Sequence, residues 1–232
     1  MSTRHQTRIV SIRQPAAYLF TPPESSSPDP WAVVALHGYG QTPQLLHDYA
    51  RRLTGDTAWI AAPRGLNEFS LRPLSASPEV GYNWGTSAHW SEAIDRHHQL
   101  MLAVLEDVQR ESGVPAARTL LMGFSQPVGL NYRFAGAYPE AVRAVLGLCG
   151  GVPKHWGTLD LKPITAALMH IARDDDEFYP REVAAEFGSR LRLRAADVEF
   201  QMIPGKHRLP SAGAELVAPW IERVFGVQAK QS

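Results

Sequence analysis

The sequence predicts an α/β fold with a mostly parallel, doubly wound sheet and helices on both faces. Short apolar runs alternate with amphipathic stretches of helix length, which is the pattern of successive βαβ units. Runs such as residues 31–36 (WAVVAL) are β-branched and almost continuously apolar, as strands buried on both faces are. The 232 residues are 44% apolar and 20% charged, an ordinary globular composition. Because α/β folds of about this length commonly form one unit, we expect a single domain over residues 1–232.

The first third of the chain contains four predicted strands and one helix. Short strands are expected at residues 8–13 and 16–20, pairing as a hairpin ahead of a Pro/Ser-rich loop. The strand at 31–36 is followed by a Thr-Pro pair, an N-cap residue and a first-turn proline, which predicts a helix over residues 42–53. A fourth strand is expected at residues 57–61.

A long amphipathic helix is predicted over residues 90–112. Apolar and aromatic side chains recur there at spacings of three and four residues, and Gly113 supplies a stop signal. The recurring residues are Ile94, His98, Met101, Leu105 and Val108. The preceding interval, residues 64–89, shows no sustained periodicity. Because loops of that length in compact domains are usually functional or disordered, we expect it to form a lid or pocket insertion.

The rest of the chain repeats the alternation. Strands are expected at residues 118–123, 142–148, 164–172 and 198–203, with helices at 180–193 and 210–225. We find no internal repeat and no linker, which agrees with one domain.

Charge and hydropathy exclude several classes of function. The 23 basic and 23 acidic residues cancel, which argues against nucleic acid or an anionic membrane as the main partner and favours a small neutral ligand. No run of 18 apolar residues occurs, so no integral membrane association is expected. The first residues also lack the apolar core of a signal peptide, so we expect a cytoplasmic protein.

The strongest chemical signal is the run 123–126 (GFSQ), in which a strand enters a turn ahead of a helix. It nearly matches the G-x-S-x-G nucleophile elbow, which exposes a serine above the sheet beside a helix N-terminus. Ser125 is therefore the candidate nucleophile. Pro127 fills the second glycine position and disfavours helical geometry at Gln126 before it. The alternative is a Gly-Phe-Ser turn with no chemical role.

A serine nucleophile needs a histidine base and a carboxylate that orients the base. His207 lies between the last predicted strand and the last helix, at the edge of the sheet where ligands bind. An acidic cluster follows the strand at 164–172. We favour Asp176 as the acid because an Asp-x-x-x-Pro run places it directly before the next helix, and Asp174 and Asp175 remain alternatives.

The run 37–40 (HGYG) is similar to an oxyanion loop, in which glycines let the backbone approach a substrate carbonyl. The expected donors are the backbone N–H groups of Tyr39 and Gln126, with His37 bracing the loop. The aromatic residues Tyr82, Trp84 and Trp90 are candidates for the pocket wall. The alternative is that they pack the 64–89 interval onto the body of the protein.

The sequence predicts no metal and no cofactor. The pair His97 and His98 lacks the spacing of a zinc motif, and the acidic run lacks that of a calcium loop. The single cysteine, Cys149, ends an apolar strand and is expected to be buried and inert.

Taken together, the motifs resemble the phospholipase/carboxylesterase branch of the α/β-hydrolases, to which acyl-protein thioesterases also belong. The resembling segments are 36–38, 62–65, 123–126, 176–180 and 204–207. The resemblance extends from about residue 31 to residue 225. It departs from the family pattern at Pro127, where glycine is common, and at 170–171, where His-Gly is common.

The resemblance implies a cofactor-free serine hydrolase that cleaves carboxylic esters or thioesters through an acyl-enzyme, with Ser125, His207 and Asp176 as the triad. The expected partner is a small-molecule ester or thioester. Two other functions remain open: a catalytically silent α/β-hydrolase scaffold that binds a ligand or partner, and an amidase or peptidase that uses the same triad. The sequence also leaves open whether the protein forms a homodimer.

Overall fold

The computed structural model describes residues 8, 10, 12, 14–24, 27–72, 79–155 and 162–227. Seven strands form one sheet in the order β1-β3-β2-β6-β7-β8-β9, and β4 and β5 form a separate two-stranded sheet. The strands are β1 (Tyr18–Thr21), β2 (Ala32–Leu36), β3 (Trp59–Pro63), β4 (Asn67–Ser70), β5 (Val80–Asn83), β6 (Thr119–Phe124), β7 (Ala144–Leu148), β8 (Ala167–Arg173) and β9 (Val198–Ile203).

The main sheet is parallel from β3 to β9, and only β1 pairs antiparallel, with β3. The α-helices are α1 (Pro43–Thr54), α2 (Trp90–Ser112), α3 (Val128–Ala137), α4 (Arg181–Ala184), α5 (Phe187–Arg192) and α6 (Gly213–Phe225). The predicted fold class, a mostly parallel α/β sheet with helices, is confirmed.

The hydrophobic core lies on both faces of the sheet. On one face α1 and α6 bury side chains such as Leu46 and Trp220, and on the other α2, α3 and α5 bury Met101, Phe134 and Leu191. Each buried side chain of this size stabilises the fold by about 1.5–3 kcal/mol relative to an exposed one. The strands between these layers are apolar on both faces, which explains their continuous apolar runs.

This arrangement positions the candidate site. In a parallel sheet all strands end at the same edge, and ligands bind outside it. The run 37–40 follows β2, Ser125 follows β6, Asp176 follows β8 and His207 follows β9. Residues far apart in the sequence therefore meet at one edge of the sheet.

Several predicted elements differ from the structure. Residues 9, 11 and 13 of the first predicted strand lie outside the described residues. The second predicted strand is β1, which pairs antiparallel with β3. The interval 64–89 contains the β4–β5 hairpin. Its two strands are too short to show a recognisable alternation of apolar and polar residues, so the sequence contains no signal that predicts them.

The last two predicted helices also differ in extent. The helix expected at 180–193 is divided into α4 and α5, because Glu186 N donates to Val183 O and the pattern tightens to i→i−3 there. The helix expected from residue 210 begins at Gly213. The Pro210 carbonyl instead accepts the Tyr49 hydroxyl (3.1 Å), which ties the preceding segment to α1.

Within the described ranges, no helix combines the length and the hydropathy needed to cross a bilayer.

Candidate active site

Ser125 lies on a tight turn between β6 and α3. Its φ of 62° is in the left-handed region, a conformation that costs a residue with a side chain about 1–3 kcal/mol. The turn is held by a hydrogen bond from Ser125 N to Leu148 O of β7 (2.8 Å). Gly123 is needed below it, because a Cβ there would lie only 2.7 Å from Asn131 Nδ2 on α3. The local backbone is that of a nucleophile elbow.

Pro127 fits this turn. Its φ of −74° and ψ of −11° are helical, and it directly precedes Val128, the first residue of α3. Its carbonyl accepts Asn131 N (2.8 Å) and so starts the helical hydrogen-bond pattern. A proline at this position removes an N–H that a helix leaves unpaired in any case. Proline at the position where the elbow motif has glycine is therefore compatible with the strained conformation at Ser125.

The imidazole of His207 bridges Ser125 and Asp176. His207 Nε2 lies 2.8 Å from Ser125 Oγ, and His207 Nδ1 lies 2.7 Å from Asp176 Oδ2. Because an ionised carboxylate only accepts hydrogen bonds, the ring proton belongs on Nδ1 and the lone pair of Nε2 faces the serine hydroxyl. The hydroxyl can therefore donate its proton directly to the base.

Asp176 is only 4% exposed and is satisfied on both oxygens. While Oδ2 faces the imidazole, Oδ1 accepts the backbone N–H groups of Phe178 (2.8 Å) and Tyr179 (3.1 Å). Hydrogen bonds from two backbone amides fix the orientation of the carboxylate. The turn directly after Asp176 thus aims the second oxygen at His207.

The two neighbouring aspartates have other partners. Asp174 Oδ1 accepts Gly205 N (2.9 Å), a contact that ties the acid loop to the loop carrying His207. Asp175 is exposed and lies 3.9 Å from Lys206 Nζ. Of the three acids, Asp176 is the one that the structure brings to the imidazole.

Three aromatic rings surround the imidazole of His207. The ring centroids lie 5.1 Å away for Phe124, 4.7 Å for Phe178 and 6.1 Å for Tyr179. These contacts limit the rotation of the imidazole. Sequence reasoning missed Phe178 and Tyr179, although their position directly after the candidate acid was a usable signal.

The loop at 37–40 leaves one amide free beside the serine. Gly38 N donates to Gln41 Oε1 (2.8 Å), and Gly40 N donates to a carbonyl of β5 (2.8 Å). Within the part of the chain that the structure describes, the N–H groups of Tyr39 and Gln126 donate to no protein atom. Both residues line the cavity that also exposes Ser125. Two free amide N–H groups at this place can donate hydrogen bonds to a developing oxyanion.

Comparison with known proteins decides the family. The model of the phospholipase/carboxylesterase family matches residues 23–224. The chain belongs to the phospholipase/carboxylesterase family. It is accordingly a hydrolase of that family, and no curated protein gives a match.

Solved structures share the fold of this family member at low sequence identity. The carboxylesterase of Bacillus cereus has a TM-score of 0.73 at 15% identity, over 90% of this chain and 95% of that one. The carboxylesterase of Mesorhizobium loti has a TM-score of 0.70 at 21% identity, over 89% and 94% of the two chains. The acyl-protein thioesterase 2 of Zea mays has a TM-score of 0.68 at 15% identity, over 90% and 99%.

A buried network braces the loop at 37–40 in this hydrolase. His37 Nδ1 donates to the next carbonyl (2.8 Å) and its Nε2 accepts Gly65 N (3.0 Å). Burial lowers the pKa of His37 to about 4, so the imidazole is neutral. Trp84 Nε1 donates to His37 O (2.7 Å), while Gln126 Oε1 accepts Trp84 N (3.0 Å) and Gln126 Nε2 donates to Gly85 O (2.8 Å). The side chain of Gln126 therefore links the elbow to the loop.

The hydrolase has a cavity of about 670 Å³ that exposes both Ser125 and His207. Trp90 lines it, whereas Tyr82 and Trp84 do not, which corrects the expectation that all three wall the pocket. Trp84 is buried beneath the loop and is 3% exposed, and Tyr82 pairs within the β4–β5 hairpin. Both side chains pack the 64–89 interval onto the body.

The remaining titratable groups near the core are buried in the packing. Among the described residues, no group of three or more His, Cys, Asp or Glu side chains could hold a metal ion. His97 is buried and its Nε2 lies 3.1 Å from Asn131 Oδ1, so it belongs to the packing between α2 and α3. Cys149 is buried, and burial raises the pKa of its thiol to about 11, which leaves it uncharged and unreactive at neutral pH.

Proposed function

We propose that this hydrolase cleaves carboxylic esters or thioesters through an acyl-enzyme intermediate, with Ser125 as nucleophile, His207 as general base and acid, and Asp176 as the residue that orients the imidazole. The observation that carries the proposal is the continuous chain of hydrogen bonds from Asp176 Oδ2 to His207 Nδ1 and from His207 Nε2 to Ser125 Oγ. Family membership supports the same class of reaction.

The reaction begins when Ser125 Oγ attacks the carbonyl carbon and transfers its proton to His207 Nε2. The carbonyl oxygen becomes an oxyanion and accepts the N–H groups of Tyr39 and Gln126. Such donors are typically worth about 10²–10³ in kcat each. The imidazolium then protonates the leaving oxygen, or the sulfur departs as a thiolate that takes up the proton, and the acyl group remains on Ser125.

Water completes the cycle by the same steps in reverse order. His207 Nε2 takes a proton from the water as it attacks the acyl-serine, and returns that proton to Ser125 Oγ as the free acid leaves. Throughout, the Asp176 carboxylate keeps the ring proton on Nδ1 and stabilises the imidazolium. No step requires a metal or a cofactor.

A fluorophosphonate probe and a p-nitrophenyl ester test this proposal together. The wild-type chain should be labelled covalently and should release p-nitrophenol, and Ser125→Ala should abolish labelling and lower kcat by a factor on the order of 10⁶. Ser189→Ala, a serine on α5, is the matched control and should behave as the wild type. Ester turnover that survives in Ser125→Ala would contradict the proposal, and absence of both labelling and turnover in the wild type would favour a silent scaffold.

The leaving group and the acyl length are tested with paired substrates. Esters and thioesters from acetyl to palmitoyl should all be cleaved at rates that depend on Ser125, and the chain length with the highest kcat/KM gives the acyl preference. Anilides with the same acyl groups test the amidase alternative. An amide has a poorer leaving group that must be protonated, so turnover of anilides close to that of esters would favour an amidase.

A further inference from the structure

The cavity beside Ser125 is lined by basic side chains, although the whole chain is neutral. Two arginines, Arg133 and Arg208, line it, whereas no Asp or Glu among the described residues does. The carboxylates of Asp176 and Glu177 contact His207 without lining the cavity. The net charge of zero suggested a small neutral ligand, but an average over the chain does not determine the charge of one cavity. The local charge argues for an anionic ligand.

Arg133 is the unusual member of this pair. It is half-buried on α3, and among the described residues its guanidinium makes no hydrogen bond and no ion pair. Burial lowers the pKa of this guanidinium, with no charged partner to offset the effect. By contrast, Arg118 donates to three backbone carbonyls and Arg223 to two carboxylates. A half-buried cation without a partner loses hydration and gains nothing in return.

The position of Arg133 makes it available to a bound substrate. Gly129 and Arg133 are one helical turn apart on α3, on the side that faces the cavity. Side chains on a helix lean toward its N-terminus, which is the end of α3 that follows the elbow at Ser125. Because Ser125 and Arg133 line the same cavity, a substrate with its carbonyl at Ser125 can reach Arg133 through a short chain that ends in an anion.

We propose that Arg133 selects esters or thioesters that carry a negatively charged group a few bonds away from the scissile carbonyl. Arg208, which is exposed beside His207, adds to the positive field. This proposal rests on the proposed hydrolase function and adds the class of substrate to it. A guanidinium and a carboxylate or phosphate form a charge-assisted hydrogen bond, which is stronger than a neutral one.

The experiment compares charged substrates with neutral substrates of the same shape. On the acyl side, the mono-p-nitrophenyl ester of adipic acid is compared with the ester whose chain ends in an isopropyl group in place of the carboxylate. On the alcohol side, the acetate ester of para-hydroxybenzoate is compared with the acetate ester of its methyl ester. The wild type should give a higher kcat/KM for the charged member of at least one pair.

Arg133→Met keeps the apolar part of the side chain and removes the charge. It should lower kcat/KM for the preferred charged substrate about 10- to 100-fold, mainly through KM, and leave the neutral member of the pair nearly unchanged. Arg133→Lys should restore part of the preference. The control is Arg52→Met, which removes one exposed positive charge from α1, outside the cavity, and should leave the preference intact.

The two proposals fail in different ways. Equal effects of Arg133→Met on charged and neutral esters would overturn the selective role of Arg133 and leave the hydrolase function standing. If the wild type cleaves no ester, binding of monomethyl adipate to the Ser125→Ala chain is measured by calorimetry. Binding that weakens about 10-fold or more on adding Arg133→Met would still support the anion site, and unchanged affinity would overturn it.

Discussion

At the scale of single residues, the role of Asp176 follows from which of its oxygens are already satisfied. Two backbone amides hold Oδ1, so the carboxylate cannot rotate away from His207 without breaking them. An asparagine in this place can present an amide N–H to the imidazole instead of an oxygen. That would force the neutral ring into the tautomer with its proton on Nε2, which cannot accept a proton from Ser125.

We therefore expect Asp176→Asn to lower kcat by a factor on the order of 10⁴ with little change in KM, as in other triads that lose the acid in this way. Asp174→Asn weakens the contact with Gly205 N and should mainly lower stability. Asp175→Asn alters an exposed carboxylate and should do little. Steady-state kinetics of the three variants on one ester is the measurement, and a large loss of kcat in either of the other two would reassign the acid.

Sequence reasoning reached some of these residues and not others. Ser125 and His207 follow strands whose ends share one edge of the sheet, so their proximity could be predicted from the order of elements alone. The Asp-x-x-x-Pro spacing favours Asp176 over its neighbours, but the contact with His207 depends on how the following turn bends back, which the spacing does not specify. Arg133 could not be found at all, because its significance is the lack of a partner, and that is a property of the folded environment.

At the scale of elements, the loop at 37–40 depends on hydrogen bonds from two other segments. Trp84 follows β5, and its indole N–H donates to the carbonyl of His37. The side chain of Gln126, on the elbow, accepts the N–H of Trp84 and donates to the carbonyl of Gly85. The position of Tyr39 N–H relative to Gln126 N–H is thus set by a three-part connection between the loop, the hairpin and the elbow. The hairpin and the segment that follows it therefore contact the loop, even though Tyr82 and Trp84 do not line the cavity.

Trp84→Phe tests this connection. It removes the indole donor, leaves the buried His37 carbonyl unpaired and should destabilise the fold by about 1–3 kcal/mol. It should also lower kcat by about 10-fold or more, up to the cost of losing one oxyanion donor, with a smaller change in KM. The measurements are the free energy of unfolding in urea and kcat on a p-nitrophenyl ester.

Trp31→Phe is the matched control for this change. Trp31 is also buried, and its Nε1 donates to Thr57 Oγ1 (3.3 Å) at the opposite edge of the sheet. This variant should lose stability but keep its kcat. Equal losses of kcat in the two variants would show that the effect of Trp84→Phe is general destabilisation and not a displaced oxyanion loop.

The extent of the elements was less predictable than their existence. The long helix α2 has the predicted bounds because its periodicity and the stop at Gly113 agree, and Gly113 adopts a left-handed φ of 73°. The start of α6 and the break between α4 and α5 depend on tertiary contacts instead, such as the Tyr49 hydroxyl on Pro210 O. Local patterns cannot carry information of that kind.

At the scale of the whole molecule, three of the buried histidines that the structure describes are uncharged in the folded state: His37, His97 and His170. Burial lowers the pKa of His37 to about 4 and those of His97 and His170 to about 3. His170 lies in the centre of β8 with its Nδ1 2.8 Å from the Tyr132 hydroxyl. Each of the three becomes accessible to protons when the chain unfolds, and half-buried His98 shifts in the same direction.

The sign of the resulting pH dependence follows from proton counts. An unfolded histidine has a pKa of about 6.5, so between about pH 6.5 and pH 4 the unfolded chain binds protons that the folded chain does not. The stability that these three histidines contribute is therefore fully present above about pH 6.5, and it is lost as the pH falls toward about 4. With three such groups, the free energy of unfolding should decrease by about 4 kcal/mol per pH unit near pH 5.

Urea unfolding at about pH 7, 6 and 5 measures this slope, and His97→Gln reports on a single group. Glutamine can still donate to Asn131 Oδ1 but does not titrate, so this variant should reduce the slope near pH 5 by about 1.4 kcal/mol per pH unit. His89→Gln, which changes an exposed histidine before α2, should leave the slope as in the wild type. If the slope is the same in His97→Gln and the wild type, His97 is protonated in the folded protein. The packing between α2 and α3 would then need a negative charge beside His97, which the described residues do not provide.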